Sequence, residues 1–170
     1  LGAGNGEMMK VIYLTLKKFP QYFNSCNFII HEKSQYLINQ QKRNLNSEKI
    51  TWIKNINKKY SDPTIFIANE FFDSLPIKQF FKRENKWFER FVNLTNSKKA
   101  KFEEIKTNIK SIEKKLDFEI SKGQKIIEYS PEAFKYLKII GNIVEENKGG
   151  ILIIDYGYLN SKMQDTLQAV

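Results

Sequence analysis

Two stretches carry the residue types from which chemistry could be built: LGAGNGEMM at the start of the chain and IANEFFDSLP in its middle. In the first, Gly2, Gly4 and Gly6 fall at every second position and run straight into a helical pattern that begins at Glu7. Glycine reaches positive φ and lets a ligand approach the main chain, and a helix starting there offers unpaired N–H groups and a partial positive charge. A dinucleotide fingerprint, G-x-G-x-x-G, needs its third glycine where this chain has Glu7, and a carboxylate there opposes a pyrophosphate. The G-x-G-x-G spacing instead suits S-adenosyl-L-methionine, whose amino-acid end is a zwitterion and which brings no phosphate. A flexible glycine-rich end is the competing reading of the same residues.

A cradle of this kind needs a carboxylate at the end of the next strand. Glu32 stands 26 residues after Gly6, at the end of the strand-like run NFIIHE, where it could accept hydrogen bonds from both ribose hydroxyls. An ordinary exposed acid is the plain alternative, and His31 beside it reads as structural. Ligands of parallel α/β sheets sit beyond the carboxyl ends of the strands. The next groups so placed are Asn69, Glu70 and Asp73 after PTIFIA, and Asp155 and Tyr156 after GILII. Phe71 and Phe72 read as core rather than as a platform for a base. Glu128, Ser130 and Pro131 read as the start of a helix. There is no second histidine, no cysteine pair and no lysine of a phosphate-gripping loop, so no metal set is expected.

These groups need elements to position them. Met8, Val11, Ile12 and Leu16 recur at helical spacing over 7–19, and Pro20 is expected to close that helix. NFIIHE reads as a strand, SQYLINQQKRNL as a helix capped by Ser34, ITWIKNI as a strand, and PTIFIANE as a buried strand. IKQFFKRENKWFERFVNL has the form of a hairpin around the polar turn Arg83 to Lys86. Phe102, Ile105, Ile109, Ile112 and Leu116 recur three and four apart, which predicts one amphipathic helix over 101–116. QKIIEYS reads as a strand, PEAFKYLKIIGNIVEEN as a helix with Pro131 in its first turn, and GILIIDYG as a buried strand. Strands alternating with helices predict an α/β fold with a largely parallel sheet covered on both faces.

Length and composition set limits on function. With 170 residues, 41% of them apolar, the chain can bury a core, and its single cysteine, Cys26, leaves no internal disulfide framework. No apolar run reaches the roughly 18 residues of a membrane span. The net charge of +9 is spread among glutamates, as in FEEIKTNIKSIEKKLDFE, which describes a solvated surface better than a nucleic-acid face. Nucleic acid stays a secondary partner, a cytoplasmic setting is expected, and a mitochondrial matrix location would need a targeting segment before Leu1.

LGAGNGEMM, IANEFFDSLPIKQF, WFERFV, IEYSPEA, GGILIIDYGY and DTLQAV, in this order, resemble the MidA-like family of S-adenosyl-L-methionine-dependent methyltransferases. The resemblance implies a Rossmann-like class I methyltransferase core (1–76 and 124–170) with an inserted hairpin and helix lobe at about 77–123. The family's acidic residue just before Leu1 and its last strands lie outside the sequence, so a fragment incomplete at both ends is expected. The family's mitochondrial member is a protein arginine methyltransferase of respiratory complex I assembly, which implies a protein arginine acceptor on a complex I subunit-like target. Glu70 and Asp73 would then clamp the guanidinium as catalytic carboxylates. Gly2, Gly4, Gly6, Glu32 and Asn69 would hold S-adenosyl-L-methionine, and Asp155 and Tyr156 would face the substrate. The alternatives are an RNA or small-molecule methyltransferase, a non-catalytic assembly factor that keeps the fold, and a nicotinamide-dependent oxidoreductase, which the glycine spacing disfavours.

Overall fold

The computed structural model describes residues 1–56, 60–95, 99–117, 119–120, 122–157 and 165–167. Along the chain run α1 (Glu7–Lys17), α2 (Pro20–Ser25), β1 (Phe28–His31), α3 (Gln35–Leu45), β2 (Ile50–Ile53) and β3 (Thr64–Asn69). Then come β4 (Lys78–Arg83), β5 (Lys86–Leu94), β6 (Ala100–Thr107), α4 (Ile109–Leu116), β7 (Ile126–Tyr129), α5 (Pro131–Asn147) and β8 (Gly149–Ile154). They form two compact units, one of 1–75 with 133–156 and one of 76–132 with 157–170.

The first unit is built on parallel pairing of β1 with β2 and of β3 with β8. Between the pairs, the Leu1 nitrogen donates to Ile67 O (2.7 Å) and the Gly2 nitrogen to His31 O (3.1 Å), which fixes the start of the glycine segment. Side chains alternate across a strand. Phe28 and Ile30 join Ile50 in a core against which Met9, Ile12 and Leu16 of α1 pack, while Phe66, Ala68 and Phe71 pack with Tyr136, Ile140 and Ile143 of α5. Each large apolar side chain so buried contributes about 1.5–3 kcal/mol. Ser34 caps α3, its Oγ accepting from Leu37 N at 3.3 Å.

Three local expectations need correction here. Pro20 does more than close α1: its fixed φ suits a first turn, and it opens α2. Only Phe66 and Ala68 of β3 are buried, while Ile65 is 76% exposed. β8 has the composition of a buried strand, yet Ile151 to Ile154 are all more than a third exposed, and among the described residues β3 is its only strand partner.

The second unit is an antiparallel sheet in the order β6-β5-β4-β7. Glu84 and Asn85, at φ 48° and 60°, make the positive-φ turn that matches the twist of a two-residue hairpin. Phe80, Trp87 and Ile127 receive Ile112 of α4. Beside Phe81, whose ring centroid lies 3.7 Å from the Arg90 guanidinium, Arg90 donates to Glu104 (3.4 Å) and Asp165 (2.5 Å). Gln79 also donates to Asp165, so the described part of DTLQAV, 165–167, is held here, while 168–170 lie outside the described residues.

The single helix expected over 101–116 is instead β6 followed by α4. The edge of β5 is open to pairing and takes eight residues of β6 from Ala100 to Thr107, and Asn108 then caps the shortened helix by accepting from Lys110 N. A spacing of three and four decided nothing once a strand partner was available. Likewise β7, read with the parallel core, pairs antiparallel with β4.

Candidate functional site

The glycine segment becomes a turn because all three glycines adopt φ values that other residues resist: 55° at Gly2, 54° at Gly4 and 93° at Gly6. Polar groups of α3 hold its outer side. The amide of Gln41, fully buried, donates to Gly4 O at 2.7 Å, and Asn44 donates to Asn5 O at 2.9 Å. A β-carbon on Gly2 would lie 2.7 Å from Phe71 Cδ2, so only glycine lets the chain pass that ring. A β-carbon on Gly4 would meet nothing within 4 Å. Gly2 and Gly4 line, at this turn, a cavity of 260 Å³.

Glu32 lines the same cavity from the end of β1. It is only 8% exposed, and its orientation is set at three points. Its nitrogen donates to Ile53 O at 3.0 Å, Oε1 accepts from Ser34 N at 2.8 Å, and Oε2 accepts from Gln41 at 3.4 Å. Trp52 Nε1 in turn donates to Gln41 Oε1 at 2.9 Å, which fixes the amide that joins Glu32 to the glycine turn. Glu70, the first residue past β3, lines the cavity on another side and is held at φ 48°, a left-handed conformation uncommon outside glycine. Its nitrogen donates to Ile154 O at 2.9 Å, so β8 fixes the strained residue.

Asp73 and Asp155 lie close to Glu70 without lining the cavity. Burial, followed by the charges of Asp73 and Glu70, raises the Asp155 carboxyl above the ordinary aspartate value, against hydrogen bonds from the backbone of Glu70 and Phe72. Asn69 is the last residue of β3, in register with Ile154 and half-buried. Tyr156 is 59% exposed. Gly6 caps α1 and packs toward Leu45 and Gln41 rather than into the cavity. The structure thus gathers Gly2, Gly4, Glu32 and Glu70 around one space. Asn69, Asp73, Asp155 and Tyr156 stand at or just past the ends of β3 and β8.

His31, Lys33 and Tyr136 also line the cavity and were not among the candidates. His31, 4% exposed, has Nε2 3.4 Å from the Tyr136 hydroxyl, and its ring meets Phe71 and Tyr136 edge to face. Lys33 places its ammonium 5.5 Å from the Tyr136 ring centroid. Burial lowers the proton affinity of His31 below the ordinary histidine value, so the ring is neutral at pH 7. For Tyr136 the one sequence signal was its place on the apolar stripe of α5 with Ile140 and Ile143, which speaks of core. Gln41, the joint between the turn and Glu32, gave no signal at all.

A parallel α/β unit with a glycine turn and a strand-end carboxylate facing one cavity defines the class: a class I methyltransferase-like fold. The family model described as "Putative S-adenosyl-L-methionine-dependent methyltransferase" matches residues 1–170, and the chain belongs to that family. The MidA-like resemblance read from the motifs agrees with this. The mitochondrial protein arginine methyltransferase NDUFAF7 homolog of Caenorhabditis elegans is 28% identical over 99% of this chain and 47% of its own length. NDUFAF7 of Danio rerio is 27% identical over 66% of the chain and 27% of its own length. The chain therefore spans less than half of these relatives. Two Burkholderia thailandensis crystal structures share the fold at TM-scores of 0.71 and 0.66 and identities of 17% and 16%. Each is matched over 92% of this chain and 42% or 41% of its own, and the second is bound to S-adenosyl-homocysteine. Among the described residues no helix is long and apolar enough to cross a membrane, and no group of three or more His, Cys, Asp or Glu could hold a metal.

Proposed function

We propose that the cavity binds S-adenosyl-L-methionine and that the protein transfers its methyl group to an arginine side chain of a protein substrate. The observation that carries the reading is Gly4, whose missing side chain leaves the main chain bare toward a cavity that Glu32 enters from the next strand end. The residues fit such a ligand. Glu32 has its carboxylate pre-oriented by Ser34 and Gln41 and keeps acceptor capacity for a pair of hydroxyls. Gly2 and Gly4 admit the ligand against the backbone. Nothing at the turn resembles a lysine-bearing phosphate loop, which agrees with a ligand free of phosphate.

When bound, the donor supplies a methyl group on a sulfonium, open to in-line displacement. The chain's own part is alignment and charge. Holding reactants in line can recover on the order of 7–11 kcal/mol of a barrier. Glu70 at the cavity wall would accept hydrogen bonds from a guanidinium, whose donors form a fixed fork. Asp73 and Asp155 beside it would add negative charge along the approach. Asn69 would supply an amide to cofactor or substrate, and Tyr156 would meet the substrate. A protein arginine is the acceptor that the relatives' names support, and the resemblance points to a complex I subunit-like protein. The compartment would be the bacterial cytoplasm or the mitochondrial matrix.

Calorimetry with S-adenosyl-homocysteine, followed by a transfer assay on arginine-containing protein and on RNA, tests the reading. Binding with transfer to protein supports it, and transfer to RNA alone moves the acceptor. Binding without transfer in the presence of partner proteins identifies an assembly factor. Failure to bind overturns the cofactor site.

A further inference from the structure

Resting on the donor site proposed above, the geometry points to His31 as the residue that sets the cavity's preference between the cationic methyl donor and its neutral thioether product. His31 ends β1 between Glu32 and the aromatic wall, and it lines the cavity with them. It is hydrogen-bonded to Tyr136 at 3.4 Å, and the Phe71 and Tyr136 rings hold it edge-on, so it cannot swing away from an ionic ligand.

The charges that line the cavity are few. Glu32 and Glu70 bring two negative charges and Lys33 one positive, and a neutral His31 leaves the lining at a net −1. S-adenosyl-L-methionine differs from S-adenosyl-homocysteine by one methyl and one positive charge on sulfur. A wall at −1 favours the sulfonium. A proton on His31 brings the lining to zero and removes that preference. The groups facing His31 are Glu32 and Lys33 from its own strand end, Tyr136 from α5, the Leu1 nitrogen at the glycine segment and the backbone of Lys54 after β2. Phe71 is apolar, and no second imidazole exists in the chain. By linkage, the ligand that repels the proton more must itself be repelled more by the proton.

The test compares affinities for S-adenosyl-L-methionine and S-adenosyl-homocysteine well above and well below the His31 midpoint, located by NMR on the wild type, in wild type and in His31→Gln, which is neutral throughout and retains an acceptor for Tyr136. Wild type should lose roughly tenfold of its donor-over-product ratio on acidification, and the ratio in His31→Gln should not move. A ratio independent of pH in wild type, or equally dependent in the variant, overturns the inference and leaves the donor site standing if both ligands bind. Should the variant not fold, an NMR titration of wild type decides. Its single histidine gives one Cε1–H signal, whose midpoint should fall further with the donor than with the product. Equal midpoints overturn the inference. Absence of binding by either ligand is the separate failure of the donor site.

Discussion

Gly4→Ala and Gly2→Ala make a matched pair, because both residues sit at nearly the same φ, 54° and 55°, two residues apart in one turn. Forcing alanine into the left-handed region costs about 1–2 kcal/mol at either position. At Gly4 nothing is added to that, since the new methyl meets no atom within 4 Å. At Gly2 the methyl meets Phe71 Cδ2 at 2.7 Å, and Phe71 is a core residue of the α5 cluster. Overpacking of this kind adds about 1–3 kcal/mol. With about 2–4 °C per kcal/mol for a protein of this size, Gly4→Ala should melt only a few degrees low and Gly2→Ala clearly lower. Binding should run the other way relative to stability. Gly4 belongs to the wall of the cavity proposed for the cofactor, so a methyl added there is expected to weaken S-adenosyl-homocysteine binding at least about tenfold, a loss of about 1.4 kcal/mol, in a protein that is otherwise folded. Scanning calorimetry and isothermal titration on both variants supply the numbers. Unchanged affinity in a folded Gly4→Ala protein refutes the cradle, and equal melting points for the two variants refute the role given to Phe71.

Glu70→Gln should leave S-adenosyl-homocysteine affinity within about threefold and slow transfer by at least tenfold, the range expected when a positioned ionic group is lost; wild-type turnover would show that Glu70 is no clamp. Gln41→Ala removes the partner of Gly4 O, Glu32 and Trp52 Nε1 from a fully buried position, and unsatisfied groups at about 1–3 kcal/mol each predict a severe loss of stability by denaturant titration. Asp155→Asn tests the carboxylate group at the ends of β3 and β8. The folded-state value of Asp155 is raised, so its ionised form disfavours the fold above that value and the penalty fades as pH falls through it. The variant should therefore melt higher than wild type at pH 7, with the difference gone near pH 4; a difference that persists at low pH would assign the effect to something other than charge.

The amino-acid sequence alone determined the features whose causes are local. Glycines at every second position needed positive φ and obtained it. Ser34 capped α3 through its own hydroxyl, the polar pair Glu84 and Asn85 turned the hairpin, and Pro131 opened α5. Each outcome depends on one residue's stereochemistry and its near neighbours, so it can be read without knowing the rest of the chain. The tertiary structure alone decided where two elements competed for one segment or where distant residues had to meet. Phe102 and Ile105 became strand because β5 offered a ladder of hydrogen bonds, and β7 went to β4 rather than to the parallel strands. The cavity obeys the same division. Its glycines and Glu32 were visible as motif, while its aromatic wall joins His31 to Tyr136 across 105 positions, and Gln41 reaches 37 positions back to Gly4. Contacts over such separations are formed by packing and leave no periodicity in the sequence, which is why the wall and the joint of the site appear only once the chain is folded.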